Sequence, residues 1–211
     1  MSKLTKMVRK TKADAELTRQ QIIDAARRVF VEKGVSRTTI DNIAVAAGVT
    51  RGAVYWHFDN KEELFHAMRE QVMLPLLDKF DGALFKPDEA DPLGAIEAFY
   101  QSMFESLAQD SLMRHSYEIM ILKCEYVEEF AHVLERMLDH CSDICTKLAR
   151  AYAIAAEKGQ LRPGLDPDMA ACDTYVFIGG LLKTWLADYA GQTIRCRTAE
   201  LIRNHVALRR R

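Results

Sequence analysis

The chain has 211 residues, 49% of them hydrophobic and 28% charged, which is enough apolar side chain for one large domain or two small ones and excludes a disordered polar chain. Its net charge of −1 hides an uneven distribution: residues 1–66 carry 12 Lys and Arg against 8 Asp and Glu, whereas the remainder carry 17 against 22. A basic end that suits a polyanion is therefore joined to an acidic body that does not.

Glycine and proline are scarce, at 10 and 5, which favours helices. Residues 1–14, with Lys3, Lys6, Arg9, Lys10 and Lys12, read as a flexible basic arm. This polar opening is unlike a secretory leader, and the apolar runs are too short for a bilayer, so a cytoplasmic protein without a membrane partner is expected. Ile22, Ile23, Ala26, Val29 and Phe30 then recur at helical spacing up to a stop at Gly34. In Thr38-Thr39-Ile40-Asp41, Thr38 is expected to cap a short helix running to about Ala46, with Asp41 at its third position. Gly48 interrupts, and Thr50 caps a second short helix through about His57. Asn60-Lys61-Glu62-Glu63 repeats the pattern and opens a helix over about 61–80, which Pro75 is expected to kink or end. A loop over 86–92 finishes in Asp91-Pro92, a cap and first-turn pair. Helical periodicity continues over 92–108, 111–124, 127–158, 167–186 and 198–208. No alternating strand pattern of useful length occurs, so the class is all-α.

The five cysteines, Cys124, Cys141, Cys145, Cys172 and Cys196, are odd in number and lack zinc-ribbon spacing. They indicate neither a disulfide framework nor a metal site, and no cofactor is expected. Cys141 and Cys145, four apart on one helix, fit either two buried small hydrophobes or a redox switch.

The informative segment is 38–58. Two helices of about eight residues joined at Ala47-Gly48-Val49 match helix-turn-helix geometry, and residues 15–60 form the expected DNA-binding domain. Ile40, Ile43, Ala44, Val49 and Val54 make the inner face. Thr50, Arg51 and Gly52 stand in the first turn of the second helix, the part that enters a major groove. There Arg51 can donate two hydrogen bonds to guanine, Thr50 can meet a base edge, and Gly52 removes bulk. Thr39, Tyr55, His57 and Lys61 are expected at phosphates. Phe58 reads as core, and Trp56 as either core or contact.

Residues 38–58, from Thr38-Thr39-Ile40-Asp41 through Ala47-Gly48-Val49-Thr50-Arg51-Gly52 to Tyr55-Trp56-His57-Phe58, followed by Asn60-Lys61-Glu62-Glu63-Leu64-Phe65, resemble the DNA-binding domain of the TetR/AcrR family. Arg9-Lys10-Thr11-Lys12 with Thr18-Arg19-Gln20-Gln21-Ile22-Ile23 looks like the branch that represses multidrug efflux pumps, and Ile121-Leu122-Lys123-Cys124-Glu125-Tyr126 resembles a stretch those repressors share. The resemblance implies a nine-helix fold: helices 1–3 bind DNA, helix 4 links the domains, helices 8 and 9 form a homodimer, and a ligand cavity lies among helices 4 to 8. Residues 61–211 would be the ligand-binding and dimerisation domain, and operator DNA and a small-molecule inducer the partners.

Matched helix by helix, the same resemblance points to Met73, Tyr117, Ile121, Ile144, Leu148, Tyr175, Ile178, Gly179 and Lys183 as the ligand site. Lys183 faces either ligand or solvent, since a cation on an apolar helix must be paired or hydrated. No acidic counterpart for a cationic drug is evident, which favours neutral or anionic planar aromatics such as plant phenolics. Gly179-Gly180 within a helix costs roughly 1 kcal/mol per glycine, offset by close approach at a dimer seam or by room for ligand. Leu181 and Trp185 read as interface core. Two rival readings differ in role. Glu63-x-x-His66 and Glu129-x-x-His132 have the spacing of di-iron carboxylate bundles, and a transcriptional activator would share the fold.

Overall fold

The computed structural model describes residues 12–86, 89–127 and 130–211, with backbone alone for 134–140. Among the described residues the chain runs through α1 (Lys12–Lys33), α2 (Ile40–Ala47), α3 (Arg51–His57), α4 (Lys61–Leu84), α5 (Pro92–Gln109), α6 (Ser111–Glu118), α7 (Ala131–Glu157), α8 (Pro167–Ala187) and α9 (Thr198–Ala207). A π-helical turn, Ile119–Lys123, extends α6, and a 3-10 turn, Arg195–Arg197, precedes α9. Two compact units divide within α4, the first ending at Arg69 and the second being Glu70–Arg211. No described helix is long and apolar enough to cross a membrane.

The first unit is a three-helix domain closed by the start of α4. Ile22, Ile23 and Phe30 of α1, Ile43 and Ala44 of α2, Val54 of α3, and Phe58 are buried together. Each large aliphatic side chain so buried stabilises the domain by about 1.5–3 kcal/mol. Phe30 meets Phe65 edge to face at 6.2 Å, and the Arg19 guanidinium lies 5.0 Å above the Phe58 ring.

In the second unit α8 packs along α7, while α5 touches α7 and α9. Leu93, Ile96 and Leu107 of α5, Leu148 and Ala151 of α7, and Leu186 and Ile202 are buried. Thr174 links polar groups inside this core: its Oγ1 lies 2.7 Å from the Tyr152 hydroxyl and 3.0 Å from His205 Nε2. The His205 ring stacks on Phe177 at 3.9 Å. The chain end is tied back. Arg210 forks onto Asp91 at 2.9 and 2.7 Å, and Asp91 also caps α5 by accepting from the Gly94 amide. A Cβ at position 94 would lie 2.5 Å from Asp91 Oδ2, so glycine lets the cap and the fork share one carboxylate.

Several expectations need correction. Thr39, not Thr38, caps α2: its hydroxyl accepts from the Asn42 amide, and the Asn42 side chain accepts from the Thr39 amide. Thr38 is buried and donates to the Gly34 carbonyl, ending α1 instead of starting α2. Residues 12–14 of the expected arm are already helical, and residues 1–11 lie outside the described part. The helix through Pro75 reaches Leu84. Pro75 is on its exposed side, where the carbonyl left without proline's N–H is open to solvent. The single helix expected over 111–124 widens into the π turn, where the Tyr126 hydroxyl donates to the Met120 carbonyl at 2.6 Å. Leu181 and Trp185 are buried within the subunit. Trp185 packs on Phe104 and beneath the Arg195 guanidinium, at 6.0 and 4.2 Å, so neither residue is interface core.

Candidate nucleic-acid interface and ligand site

The sharp corner between α2 and α3 comes from Gly48, at φ 66°, whose amide closes α2 onto Ala44 and Val45. Thr50 then accepts from the Ala53 amide and starts α3. With Val54 fully buried, the helix presents its other sides outward. Thr50, Arg51, Gly52, Tyr55 and Trp56 are exposed, and His57 and Lys61 half-buried.

Arg51 rests on its neighbours. It pairs with Asp41 at 3.2 Å, hydrogen-bonds the Tyr55 hydroxyl at 3.3 Å and lies 5.4 Å from that ring. The Tyr55 hydroxyl and Asp41 raise its pKa further, so the guanidinium is permanently charged. Both members of the Arg51–Asp41 pair are about 60% exposed, and such a pair is weak enough to exchange for a base edge. A Cβ at Gly52 would meet only Thr50 Oγ1, at 3.9 Å. Among the described residues no neighbour requires glycine there.

Tyr55 is 43% exposed and Trp56 72% exposed. The alternative left open for Trp56 thus resolves against the core, its ring standing edge-on to His57 at 4.5 Å. Phe58 is core, as expected. Thr39 is exposed while capping α2; it accepts from an amide and keeps its hydroxyl proton to donate. At the start of α4, Asn60 accepts from the Glu63 amide and the Glu63 carboxylate from the Asp59 amide, at 2.8 and 2.6 Å. Glu63 thus serves this helix terminus. Glu129, needed for the second di-iron motif, lies outside the described residues.

In the second unit the expected ligand residues fall into separate groups. The Tyr117 hydroxyl, buried on α6, reaches Met73 Sδ of α4 at 3.6 Å. Ile144 and Leu148 share the stripe of α7 that faces α8, Leu148 fully buried. Tyr175 of α8 meets Cys141 of α7 at 2.5 Å. Ile178 is buried, Ile121 lies half-buried in the π turn, and Gly179 and Lys183 are exposed. Lys183 thus faces solvent in the single subunit.

Tyr100 on α5, outside the nine expected residues, forms a buried helical stripe with Phe99, Met103, Phe104 and Leu107. Tyr100 is buried close to Cys145 and Tyr175. Burial pushes the hydroxyls of Tyr100, Tyr117 and Tyr175 well above the usual phenol range, so they act as neutral hydrogen-bonding groups. A groove of about 670 Å³ also opens between α4, α5 and the start of α6, beside Val72, Leu76, Phe99, Met103 and Met113. None of the nine expected residues is among its described lining.

Comparison with known proteins agrees with this architecture. Residues 22–68 match the family model for bacterial regulatory proteins of the tetR family, and residues 91–210 match that for the C-terminal region of MAATS-type transcriptional repressors. The HTH-type transcriptional regulator TtgR of Pseudomonas putida is 39% identical over 180 residues, 85% of each chain. Among solved structures, NalD, the secondary repressor of the MexAB-OprM multidrug efflux pump in Pseudomonas aeruginosa, superposes with a TM-score of 0.84 at 34% identity, covering 95% of this chain and 99% of that one. The SmeT–triclosan complex superposes with a TM-score of 0.81 at 30% identity, covering 92% of each chain. With its capped helix-turn-helix, all-helical second unit and two matching family models, this chain belongs to the TetR family of bacterial transcriptional regulators.

Proposed function

We propose that the protein is a homodimeric, cytoplasmic repressor of a multidrug efflux operon, released from its operator when a small aromatic molecule enters the second unit. The observation that carries the DNA reading is the first turn of α3, where Thr50, Arg51 and Gly52 are exposed on a helix anchored from below by Val54. Arg51 reads guanine from this position, Thr50 meets a neighbouring base edge, and Gly52 lets the backbone approach. Tyr55, Trp56, His57, Lys61 and Thr39 contact phosphates and sugars on either side.

The dimer reading draws on α8. Met169, Val176, Gly180, Lys183 and Ala187 share one exposed face, with Val176 70% exposed. Among the described residues, Cβ atoms at Gly179 and Gly180 would meet nothing within 4 Å, so these neighbours give no packing use for two mid-helix glycines. Close approach of a second α8 supplies one.

Inducer binds among α4, α6, α7 and α8, between Met73, Tyr117, Ile144, Leu148, Tyr175 and Ile178, with Ile121 and Gly179 at the margins. Neutral hydroxyls and thioethers suit an uncharged aromatic molecule. Lys183 lies on the α8 face proposed for the seam and not among these residues, which removes the reason to favour an anion. Purified protein should retard DNA from upstream of its own gene and release it on addition of the neutral phenol triclosan. Calorimetry should show binding of triclosan and not of a cationic rhodamine. Failure to bind the upstream DNA at low salt would overturn the repressor reading, and tight rhodamine binding would overturn the ligand class.

A further inference from the structure

Beside Arg51 stands a carboxylate whose place the DNA reading does not yet explain. Asp41 lies in the first turn of α2 with its side chain 61% exposed, and accepts from Arg51 Nη1 at 3.2 Å. Arg51 Nη2 donates to the Tyr55 hydroxyl at 3.3 Å. The start of α2 does not need Asp41 as a cap, because Thr39 and Asn42 close the capping box between them. An ion pair exposed on both sides adds little stability. A negative group on a face that meets a polyanion costs affinity for every duplex.

We propose that Asp41 sets the sequence selectivity of this face: it competes with phosphates for Arg51, and in the operator complex it accepts a hydrogen bond from a base amino group. The inference rests on the assignment of Arg51 to guanine and deepens it.

Phosphates are offered by every sequence. An Arg51 free of Asp41 would pair with the nearest one, gaining affinity without selectivity. With Asp41 attached, that contact only exchanges one anion for another. Guanine presents O6 and N7 in one plane, matching two N–H groups of the guanidinium fork, and so outcompetes the single bond to Asp41. Once Arg51 turns to guanine, the carboxylate needs another donor. On the base edges of the major groove, cytosine N4 and adenine N6 supply it, each placed by sequence. The right step thus satisfies both side chains, whereas a wrong one leaves Asp41 facing phosphates and acceptor edges.

Duplexes enriched from a random library by the unmodified full-length protein supply the operator. Fluorescence anisotropy then compares it with a scrambled duplex at several salt concentrations. Asp41→Ala should bind the scrambled duplex about two- to fivefold tighter, with a salt slope steeper by about one, and gain nothing on the operator. Asp41→Glu, which keeps the charge, should bind the scrambled duplex as the unmodified protein does. Enrichment repeated with Asp41→Ala should keep the guanine and lose a preference for cytosine or adenine at one position. The proposal is overturned if Asp41→Ala changes both duplexes alike, or if the enriched base preferences stay the same. A library from which the unmodified protein enriches no sequence would overturn the DNA reading itself, and this inference with it.

Discussion

Arg51 and Lys61 are both cationic, yet their surroundings separate their roles. Arg51 leads an exposed helix turn with only surface partners, whereas Lys61 is half-buried at the start of α4. Arg51→Ala should cost about 1–3 kcal/mol on the operator and relax its sequence preference, while Lys61→Ala should weaken all DNA alike and lower the salt slope by about one. Fluorescence anisotropy on specific and random duplexes at several salt concentrations measures both, and equal losses for Arg51→Ala on the two duplexes would refute base reading. Gly52→Ala separates folding from binding. Open space around a Cβ at 52 and the roughly 1 kcal/mol advantage of alanine in a helix predict a melting temperature as high or higher, together with weaker operator binding. At this scale much was legible. Thr50, Gly48 and Arg51 announce their places because caps, left-handed turns and outward cations each need particular residue types. The neighbouring threonines did not. Thr38 and Thr39 can both cap, and only the depth of position 38 beneath the end of α1 decides between them. Trp56 was ambiguous for a similar reason, since an aromatic ring suits core and contact equally until its direction is known.

Among the elements, α8 and α9 join through a group that ties stability to pH. His205 is buried against Phe177 and Thr174. Burial, reinforced by Arg209, lowers its pKa from 6.5 to about 4. The folded state thus prefers the neutral ring, so this contribution is present above about pH 6.5 and is lost as pH falls from there toward 4. The loss is on the order of 3 kcal/mol. Denaturant melts between pH 8 and 4 should show it as a difference between the native chain and His205→Gln, and parallel curves for the two would exclude it. The glycines of α8 make a separate prediction. Gly180→Leu should keep the helical circular dichroism, because position 180 opens on empty space in the subunit, but should sediment as a monomer; an intact dimer would move the seam elsewhere. The helices themselves were readable from period and caps, Asp91-Pro92 and Asp166-Pro167 especially. The π turn at Ile119–Lys123 was not, because the bond from the Tyr126 hydroxyl to the Met120 carbonyl that accompanies it is seen only in the fold. The buried stripe on α5 went unassigned because core and pocket residues look alike until neighbouring helices are placed.

For the whole molecule, a basic first unit and an acidic second unit share the continuous helix α4. An inducer acts on the operator only through its different affinity for DNA-competent and DNA-incompetent arrangements. A ligand that shifts α4 would change the separation of the two α3 helices in a dimer, which must match successive major grooves about 34–36 Å apart, or a multiple of that. Hydroxyl-radical footprinting of the upstream DNA tests this account most directly. It predicts paired protections on one face of the duplex, centred 10–10.5 bp or a multiple apart, both absent with Arg51→Ala and both released together by inducer. A single protected half-site, or protection unchanged by Arg51→Ala, would contradict it.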